Sequence, residues 1–370
     1  MRLTDEIQDL IQTAGLHEDV ILADPEAPLF IYHDGELRTV PRSAAAFLRA
    51  DLLSPSAKLR VLKEPFTDPI GPRERAADVF RRKFGSETYE RLIEPLFGGM
   101  YGSDPATMPA EYAMNRLMAL ENAHGSLLQG ALHRLQGSRD IPPPASLRDG
   151  LQSLPCALYD RHREHIHLET PVVGVRPTDR GRHEIRTIYD STEFDEVVIT
   201  TPSSVTAQLL ESHPKVDTTG MAELSYNSLV VVHLAAEISR RGFGYQVARS
   251  TSLETLGVTW NTSLFRRDDV CTAFFGGMWH PDALTQDPAV IGATACDEFE
   301  AVMGVRPSLL GVQRLPNVIP AFDTSWIEWE PELPEGITIA GSFAGNIGLP
   351  SRVREANAIA SQLTRTRPYI

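Results

Sequence analysis

The sequence predicts an α/β (α+β) protein that combines a mixed β-sheet with a helical subdomain. Apolar residues recur at helical spacing from residue 44 to about residue 139, between proline and glycine breaks. Runs rich in β-branched and aromatic residues at 193–202 and 229–275 predict strands. The length of 370 residues, 42% of them hydrophobic, allows two or three domains with a large core.

The N-terminal residues predict a helix and then a hairpin. Apolar side chains from Leu3 to Ala14 recur at helical spacing, Thr4 or Asp5 is a suitable cap, and Gly15 can close the helix. In the run 28–41, Asp34-Gly35 is a hairpin turn signal between two apolar segments.

Later segments predict further strands and two helices. Residues 165–178, 183–191 and 193–202 are typical of three strands, the second returning beside the first. Four more strands are predicted between residues 229 and 275, and a helix at 287–304. A short strand at 337–342, a loop and a helix at 352–364 complete the chain.

The composition excludes some classes of function. A net charge of -14 offers no basic surface for nucleic acid and disfavours anionic membranes, so a small-molecule partner is favoured. Cys156, Cys271 and Cys296 are too widely spaced for a zinc site or a disulfide framework and indicate reduced thiols, as in the cytoplasm. The most apolar stretch, 228–236, is about half the roughly 20 residues that a spanning helix needs, so we expect no transmembrane segment.

Generic catalytic motifs are weak. The three histidines of 161–167 could bind a metal, but an exposed strand entry is the favoured interpretation. No G-x-S-x-G motif occurs, and Gly242-Phe243-Gly244 is typical of a tight turn. Two segments are less easily explained by packing alone. The first is the helix at 91–108, which is broken by paired glycines. The second is 339–363, where a strand ends, small residues follow and a helix begins, an arrangement that suits a pyrophosphate or the edge of a flavin.

Several segments carry a resemblance to a known family. They include DPEAPLFIYHDGELRTVP at 24–41, FRRKFGSETYERLIEPLFGGMYGSDP at 80–105, LGVTWNTSLF at 256–265 and AGSFAGNIGLPSRV at 340–353. In this order they resemble the FAD-dependent protoporphyrinogen and coproporphyrinogen oxidases of haem synthesis, within the flavin amine-oxidase superfamily. The resemblance implies an oxidoreductase that passes hydride from a porphyrinogen to flavin N5 in an apolar slot.

The resemblance also implies site residues. For the substrate, Phe265 would stack against the macrocycle, and Gly98 and Gly99 would line the slot. Gln246 would stand at a position in its wall, and Leu29 at the position that faces a substrate propionate.

For FAD, Val172 would contact the adenine end through its backbone, and Ile347, Gly348 and Leu349 would approach the flavin. No metal site and no acid-base pair is implied.

The sequence departs from the family pattern. It lacks the strand-G-x-G-x-x-G-helix unit that grips the FAD diphosphate, which the resemblance places before Met1. Leu29 replaces a basic residue that binds a substrate propionate, and Leu315 replaces a tryptophan near FAD. Asn346 stands where glycine is common, and Gln246 replaces an apolar residue. A truncated oxidase gene or a diverged relative would explain these departures, and FAD is then lost or weakly bound.

The fold implied is an incomplete Rossmann-like FAD domain with a mixed-sheet substrate domain and a helical subdomain. We assign residues 1–40 to a remnant of the FAD domain and the first substrate-domain hairpin, 41–140 to the helical subdomain, 145–205 to the FAD domain, 206–333 to the substrate sheet, and 334–370 to the last FAD-domain strand and helix. Because the missing unit would leave sheet faces uncovered, we expect a homodimer or poor solubility. The family's peripheral membrane contact finds no independent support here.

Two alternatives remain open. The chain could bind a tetrapyrrole or a protein partner without catalysis, or it could be a superfamily oxidase that acts on an amine or a polyene, for which Leu29 is the best hint.

Overall fold

The protein is described by a computed structural model that covers residues 1–136, 142–267, 269–326, 332–344 and 347–365. The chain divides into two compact units. Unit 1 comprises Met1–Ala23, Pro142–Leu224 and Ser325–Ile370, and unit 2 comprises Asp24–Ile141 and Ser225–Thr324.

Strands and helices are numbered in chain order. The strands are β1 (Val20–Leu22), β2 (Leu29–His33), β3 (Glu36–Thr39), β4 (Ala145–Leu147), β5 (Val172–Pro177), β6 (His183–Thr187), β7 (Ser191–Phe194), β8 (Val197–Ile199), β9 (Tyr226–Ala235), β10 (Gly244–Val247), β11 (Gly257–Trp260), β12 (Val270–Gly276), β13 (Ser308–Pro320) and β14 (Ile337–Ile339). The α-helices are α1 (Asp5–Ala14), α2 (Ala44–Arg49), α3 (Pro55–Val61), α4 (Ala76–Phe84), α5 (Ser86–Thr88), α6 (Glu94–Tyr101), α7 (Ala110–Ala113), α8 (Asn115–His124), α9 (Leu127–Gln136), α10 (Ser153–His162), α11 (Ser203–Leu210), α12 (Thr219–Glu223), α13 (Asn261–Phe265), α14 (Pro288–Met303) and α15 (Leu349–Arg365).

Unit 2 contains a seven-stranded sheet in the order β13-β9-β12-β11-β10-β2-β3. Neighbouring strands are antiparallel except β10 and β2, which are parallel, so the sheet is mixed as predicted. The predicted hairpin is confirmed as β2 and β3. Its turn residues Asp34 and Gly35 have φ values of 51° and 77°, the positive values that a two-residue hairpin turn of this class requires.

The two faces of this sheet pack against different layers. Because side chains alternate along a strand, Tyr245 and Val247 of β10 enter the main core, which also contains the buried face of α14. Ala248, beyond β10, packs on the opposite face with Ile31 of β2 and with residues from the helical part of the unit, namely Leu52, Leu92 and Leu96. The predicted helical segment therefore covers this second face.

Unit 1 holds the remaining small sheets. The N-terminal helix is confirmed as α1, closed by Gly15 at φ 75°, and its buried Ile7 and Ile11 pack with Leu154 of α10 and Val353 of α15. Strands β5, β6 and β7 form an antiparallel sheet, β1 pairs with β4, and β8 pairs with β14 in parallel.

The structure corrects three sequence-based expectations. The single strand predicted at 193–202 is two strands: β7 ends at Phe194, and β8 joins a different sheet. The histidine cluster at 161–167 lies at the exposed end of α10 and in a following turn of 3₁₀ helix, so it does not lead directly into a strand. Strand β13, the longest, was not predicted because it is an exposed edge strand whose side chains show no regular alternation.

Within the described residues, no helix combines the length and the apolar character needed to cross a membrane.

Candidate functional site

The paired glycines do not break the helix as expected, since α6 continues to Tyr101; they let α6 approach the sheet of unit 2. A Cβ atom on Gly99 would collide with the side-chain amide of Gln246, and a Cβ on Gly98 would lie 2.6 Å from Cη2 of Trp279. Glycine is therefore the residue that permits this separation. We call the region bordered by Gly98, Gly99, Gln246 and Trp279 the glycine slot. Three of its members were predicted from the resemblance, whereas Trp279 was not.

Gln246 is the polar member of the glycine slot. Its side chain is half-buried, and a Cβ on Gly257 of the adjacent β11 would lie 2.7 Å from its Oε1. In the part of the chain that the structure describes, no group hydrogen-bonds to its carboxamide. Gln246 thus presents an amide that can donate and accept hydrogen bonds to a ligand.

Leu29 lies on the same sheet face as Gln246. In the parallel pair, Leu29 is opposite Gly244 and Ile31 is opposite Gln246, and residues two apart on a strand share a face. The half-buried Leu29 brings no charge to this face.

Phe265 lies elsewhere in unit 2. It ends α13, on the connection between β11 and β12, and its ring is half-buried with the Arg267 guanidinium 5.8 Å from the ring centroid. The contact between α6 and β10 is made by other residues. Leu315 lies on β13 opposite Leu229 of β9.

A set of ionisable side chains adjoins the glycine slot. The Tyr89 hydroxyl donates a hydrogen bond to Oε1 of Glu94 at 3.2 Å, and burial raises the pKa of both groups, while this hydrogen bond opposes the rise at Glu94. Arg249 lies over the ring of Trp279, with its guanidinium carbon 4.9 Å from the centroid. Burial lowers the pKa of Arg249, and the Glu94 carboxylate opposes that effect. Sequence reasoning missed all three residues.

The predicted flavin contacts lie at the start of α15 in unit 1. Ile347 and Gly348 are exposed, and Leu349 is the first helical residue. Gly348 has φ +104°, and no atom lies within 4 Å of where its Cβ would be, so a side chain there would be strained although space is open. The backbone at this helix start is therefore accessible. Asn346 lies outside the described residues.

Val172 is also accessible in unit 1. It is the first residue of β5, is 40% exposed and is opposite Thr187 of β6, with an irregularity in the pairing before Gly174. Its position leaves the backbone at the strand end open to a ligand.

These residues fit part of FAD. An open backbone at the N-terminus of the 17-residue helix α15 suits the electron-rich edge of a flavin. The sequence contains no G-x-G-x-x-G, so the fit concerns the flavin end and the adenine contact rather than the diphosphate.

A cavity of about 210 Å³ lies between α3 and α5 in unit 2, lined among others by Ala57, Arg60 and Gly85. None of the predicted site residues borders it.

A family of known proteins matches most of this sequence. The family described as flavin containing amine oxidoreductase matches residues 2–327. The chain belongs to this family. Flavin amine oxidoreductases use FAD as the redox cofactor, so the predicted membership in a flavoprotein family is confirmed.

Relatives within the flavin amine oxidoreductases include porphyrinogen oxidases. The chain is 27% identical to protoporphyrinogen oxidase 1 of the Spinacia oleracea chloroplast, over 86% of this chain and 64% of the relative. It is 25% identical to coproporphyrinogen III oxidase of Staphylococcus aureus, over 69% of this chain and 60% of the relative. The chain thus spans less than two thirds of either protein, and the predicted resemblance is confirmed.

The fold is that of a solved relative. A provisionally named protoporphyrinogen oxidase from Exiguobacterium sp. 255-15 superposes with a TM-score of 0.77 at 22% identity, over 98% of this chain and 85% of the other. At this identity the similarity concerns the fold, and it confirms the predicted mixed α/β class.

Proposed function

We propose that this flavin amine oxidoreductase, with FAD bound, oxidises a porphyrinogen to a porphyrin in haem biosynthesis. The observation that carries the proposal is the glycine slot, where Gly98 and Gly99 bring α6 against Gln246 and Trp279. The partly apolar surface beside this contact suits a flat macrocycle. The resemblance to two kinds of porphyrinogen oxidase supports this substrate class.

FAD, which Val172 and the start of α15 would hold, would supply the hydride acceptor for oxidation of a bridging carbon of the tetrapyrrole. The protein's part is to bind and orient the substrate. We assign ring contact to Trp279, close backbone approach to Gly98 and Gly99, and hydrogen bonding with the pyrrole N-H groups to Gln246, whose amide oxygen is an acceptor.

The test is a reconstitution of the purified full chain. Protein incubated with FAD and freed of excess cofactor is expected to show flavin absorbance, and addition of protoporphyrinogen or coproporphyrinogen should produce porphyrin fluorescence faster than protein-free FAD does. Absence of both signals would contradict the enzyme proposal. Gly99→Leu, whose side chain would displace Gln246 or α6, should lower the rate, whereas a surface variant such as Lys63→Ala should not, because Lys63 is exposed on the helical part.

A second candidate is tetrapyrrole binding without turnover, with FAD lost or weakly bound. It is favoured by the neutral Leu29, where the resemblance places a basic residue. Tight porphyrin binding by protein that neither retains FAD nor oxidises porphyrinogen would support this candidate over the first.

We also propose a cytoplasmic location and a homodimer. Three cysteines without disulfide-type spacing support the first. The exposed apolar side chains of Val173, Ile188 and Tyr189 in the β5–β7 sheet region support the second. Light scattering that shows only monomer at working concentration would contradict the dimer.

A further inference from the structure

Arg249 has an environment unlike that of a structural arginine. It follows β10, it is half-buried, and its guanidinium lies 4.9 Å from the centroid of Trp279. It donates one hydrogen bond, from Nη2 to the carbonyl of Val247 at 3.0 Å. A guanidinium has five N-H donors, so most of its donor capacity is unused.

Arg82 of the same unit is an arginine whose guanidinium donors are paired. Its Nε and Nη2 donate to the Glu74 carboxylate at 2.9 and 2.7 Å, and Nη1 donates to the carbonyl of Asp68 at 2.7 Å. Among the described residues, by contrast, no carboxylate lies within 4 Å of the Arg249 guanidinium. Burying a cation is costly unless an anion accompanies it. Arg249 therefore has the charge and the unused donors to bind an anionic ligand.

Other groups place this cation at the glycine slot. The Trp279 ring on which Arg249 lies presents its benzo edge, Cη2 and Cζ2, to Gly98. Gln246, three residues before Arg249, offers the carboxamide that has no hydrogen-bond partner among the described residues. A flat apolar ring, a polar amide and a cation thus border the same region, as a ligand with an apolar body and a carboxylate would require.

Glu94, the nearby carboxyl group, is not the anion that pairs with Arg249. Glu94 is hydrogen-bonded by Tyr89, and burial favours its protonated form. An amine ligand, by contrast, would be repelled by the Arg249 guanidinium.

We propose that Arg249 binds a carboxylate of the ligand in the glycine slot, and that this carboxylate is a propionate of a tetrapyrrole. Planar guanidinium groups bind carboxylates through two parallel hydrogen bonds, and Trp279 holds the guanidinium plane for that contact. The carboxylate site rests on the geometry above, and its assignment to a tetrapyrrole rests on the proposed function.

The test compares binding of coproporphyrin with binding of its tetramethyl ester to the full chain, followed by absorbance in matched detergent. The unmodified protein should bind the free acid about 10- to 100-fold more tightly than the ester. Arg249→Met should abolish this preference, and Arg249→Lys should keep part of it because the charge remains without the fork. The matched control is Arg240→Met: Arg240 also lies over an aromatic ring, 5.3 Å from the Phe30 centroid, but is exposed, and this variant should bind like the unmodified protein.

The outcomes separate this inference from the proposed function. Equal affinity of the unmodified protein for acid and ester, or an acid preference that survives in Arg249→Met, would overturn the inference whether or not the protein is an oxidase. An acid preference that depends on Arg249 in protein without oxidase activity supports the inference and contradicts the proposed reaction. If oleate binds in an Arg249-dependent manner and porphyrins do not, the tetrapyrrole assignment is wrong. Should Arg249→Met fail to fold, the ester comparison and Arg249→Lys still decide.

Discussion

Lys83 of α4 offers the sharpest test of how unit 2 is stabilised. Its side chain and that of Glu64 are fully buried, and Glu121 is 5% exposed. The Lys83 ammonium is hydrogen-bonded to Glu121 and lies 3.4 Å from Oε1 of Glu64; it also donates to Thr67 Oγ1 at 3.2 Å and to the carbonyl of Asp68 at 3.0 Å. Lys83→Met keeps the apolar stem but leaves two buried carboxylates without their cation.

The expected loss of stability in Lys83→Met depends on the hydrogen bonds that Glu64 and Glu121 keep. Glu64 accepts hydrogen bonds from the backbone N-H groups of Leu127 and Leu128 at 3.1 and 2.9 Å, and Glu121 accepts one from Ile70 at 2.8 Å. These bonds hold both carboxylates inside the unit when the ammonium is gone. Removing one partner of a buried ion pair costs about 3–5 kcal/mol, and we expect Lys83→Met to lower the free energy of unfolding of unit 2 by that amount.

The assay is urea unfolding followed by circular dichroism, with the exposed Lys63→Met as the matched control, expected to change stability by less than about 0.5 kcal/mol. Adding Glu121→Gln to Lys83→Met removes one uncompensated charge and should recover part of the loss. A loss below about 1 kcal/mol for Lys83→Met, or no recovery in the double variant, would refute the reasoning.

Three further predictions concern other sites. The exposed Cys156 should react rapidly with a thiol reagent at neutral pH, whereas Cys271, whose pKa burial raises to about 12, should react only after denaturation; equal rates would contradict this. Burial lowers the pKa of His213, so below about pH 6.5 the unfolded chain takes up a proton that the folded chain does not. The urea midpoint of unit 1 should therefore fall as the pH is lowered, and it should fall less steeply in His213→Gln than in the unmodified protein. Gly244→Ala should destabilise unit 2 by more than about 2 kcal/mol in thermal unfolding, because Gly244 has φ +134° and a Cβ there would collide with the backbone carbonyl of Val258; a smaller loss would mean that β10 and β11 can separate locally.

Elements with strong local signals were predictable from the sequence. The Asp34-Gly35 turn has the pair of residues that positive φ values favour, and the structure has the hairpin there. The helix predicted at 287–304 is α14, whose cap Asp287 accepts a hydrogen bond from the Ala289 N-H at 2.7 Å. In both cases a few neighbouring residues specify the conformation.

Elements that depend on distant partners were not predictable in the same way. Strand β13 contains Gly311 and Pro316 and is held by pairing with β9, more than 70 residues earlier, across two register shifts. The change from β7 to β8 occurs within one β-branched run, and the pattern of that run does not specify which sheet each half joins. Propensity indicates extended backbone but not its partner.

The candidate site also contains residues that the sequence could indicate and residues that it could not. Gly98, Gly99 and Gln246 were identified by resemblance, and the structure places them in contact across α6 and β10. Arg249 and Trp279 carry no motif, since each follows a strand in an irregular segment, and only tertiary packing brings the cation over the ring. No local sequence signal marks Arg249, which lies in a turn two residues after Val247, the last residue of β10.

The position of the cation also bears on how a substrate would be oriented. Leu29, where the resemblance places a basic residue, is level with Gly244 at the start of β10, whereas Arg249 follows Val247 at the end of that strand. At about 3.3 Å per residue, the three steps from Gly244 to Val247 alone separate the two positions by about 10 Å along the strand. That span is comparable with the width of a tetrapyrrole. A macrocycle whose propionate binds Arg249 would therefore be held at least three residues further along β10 than one bound through a cation at position 29.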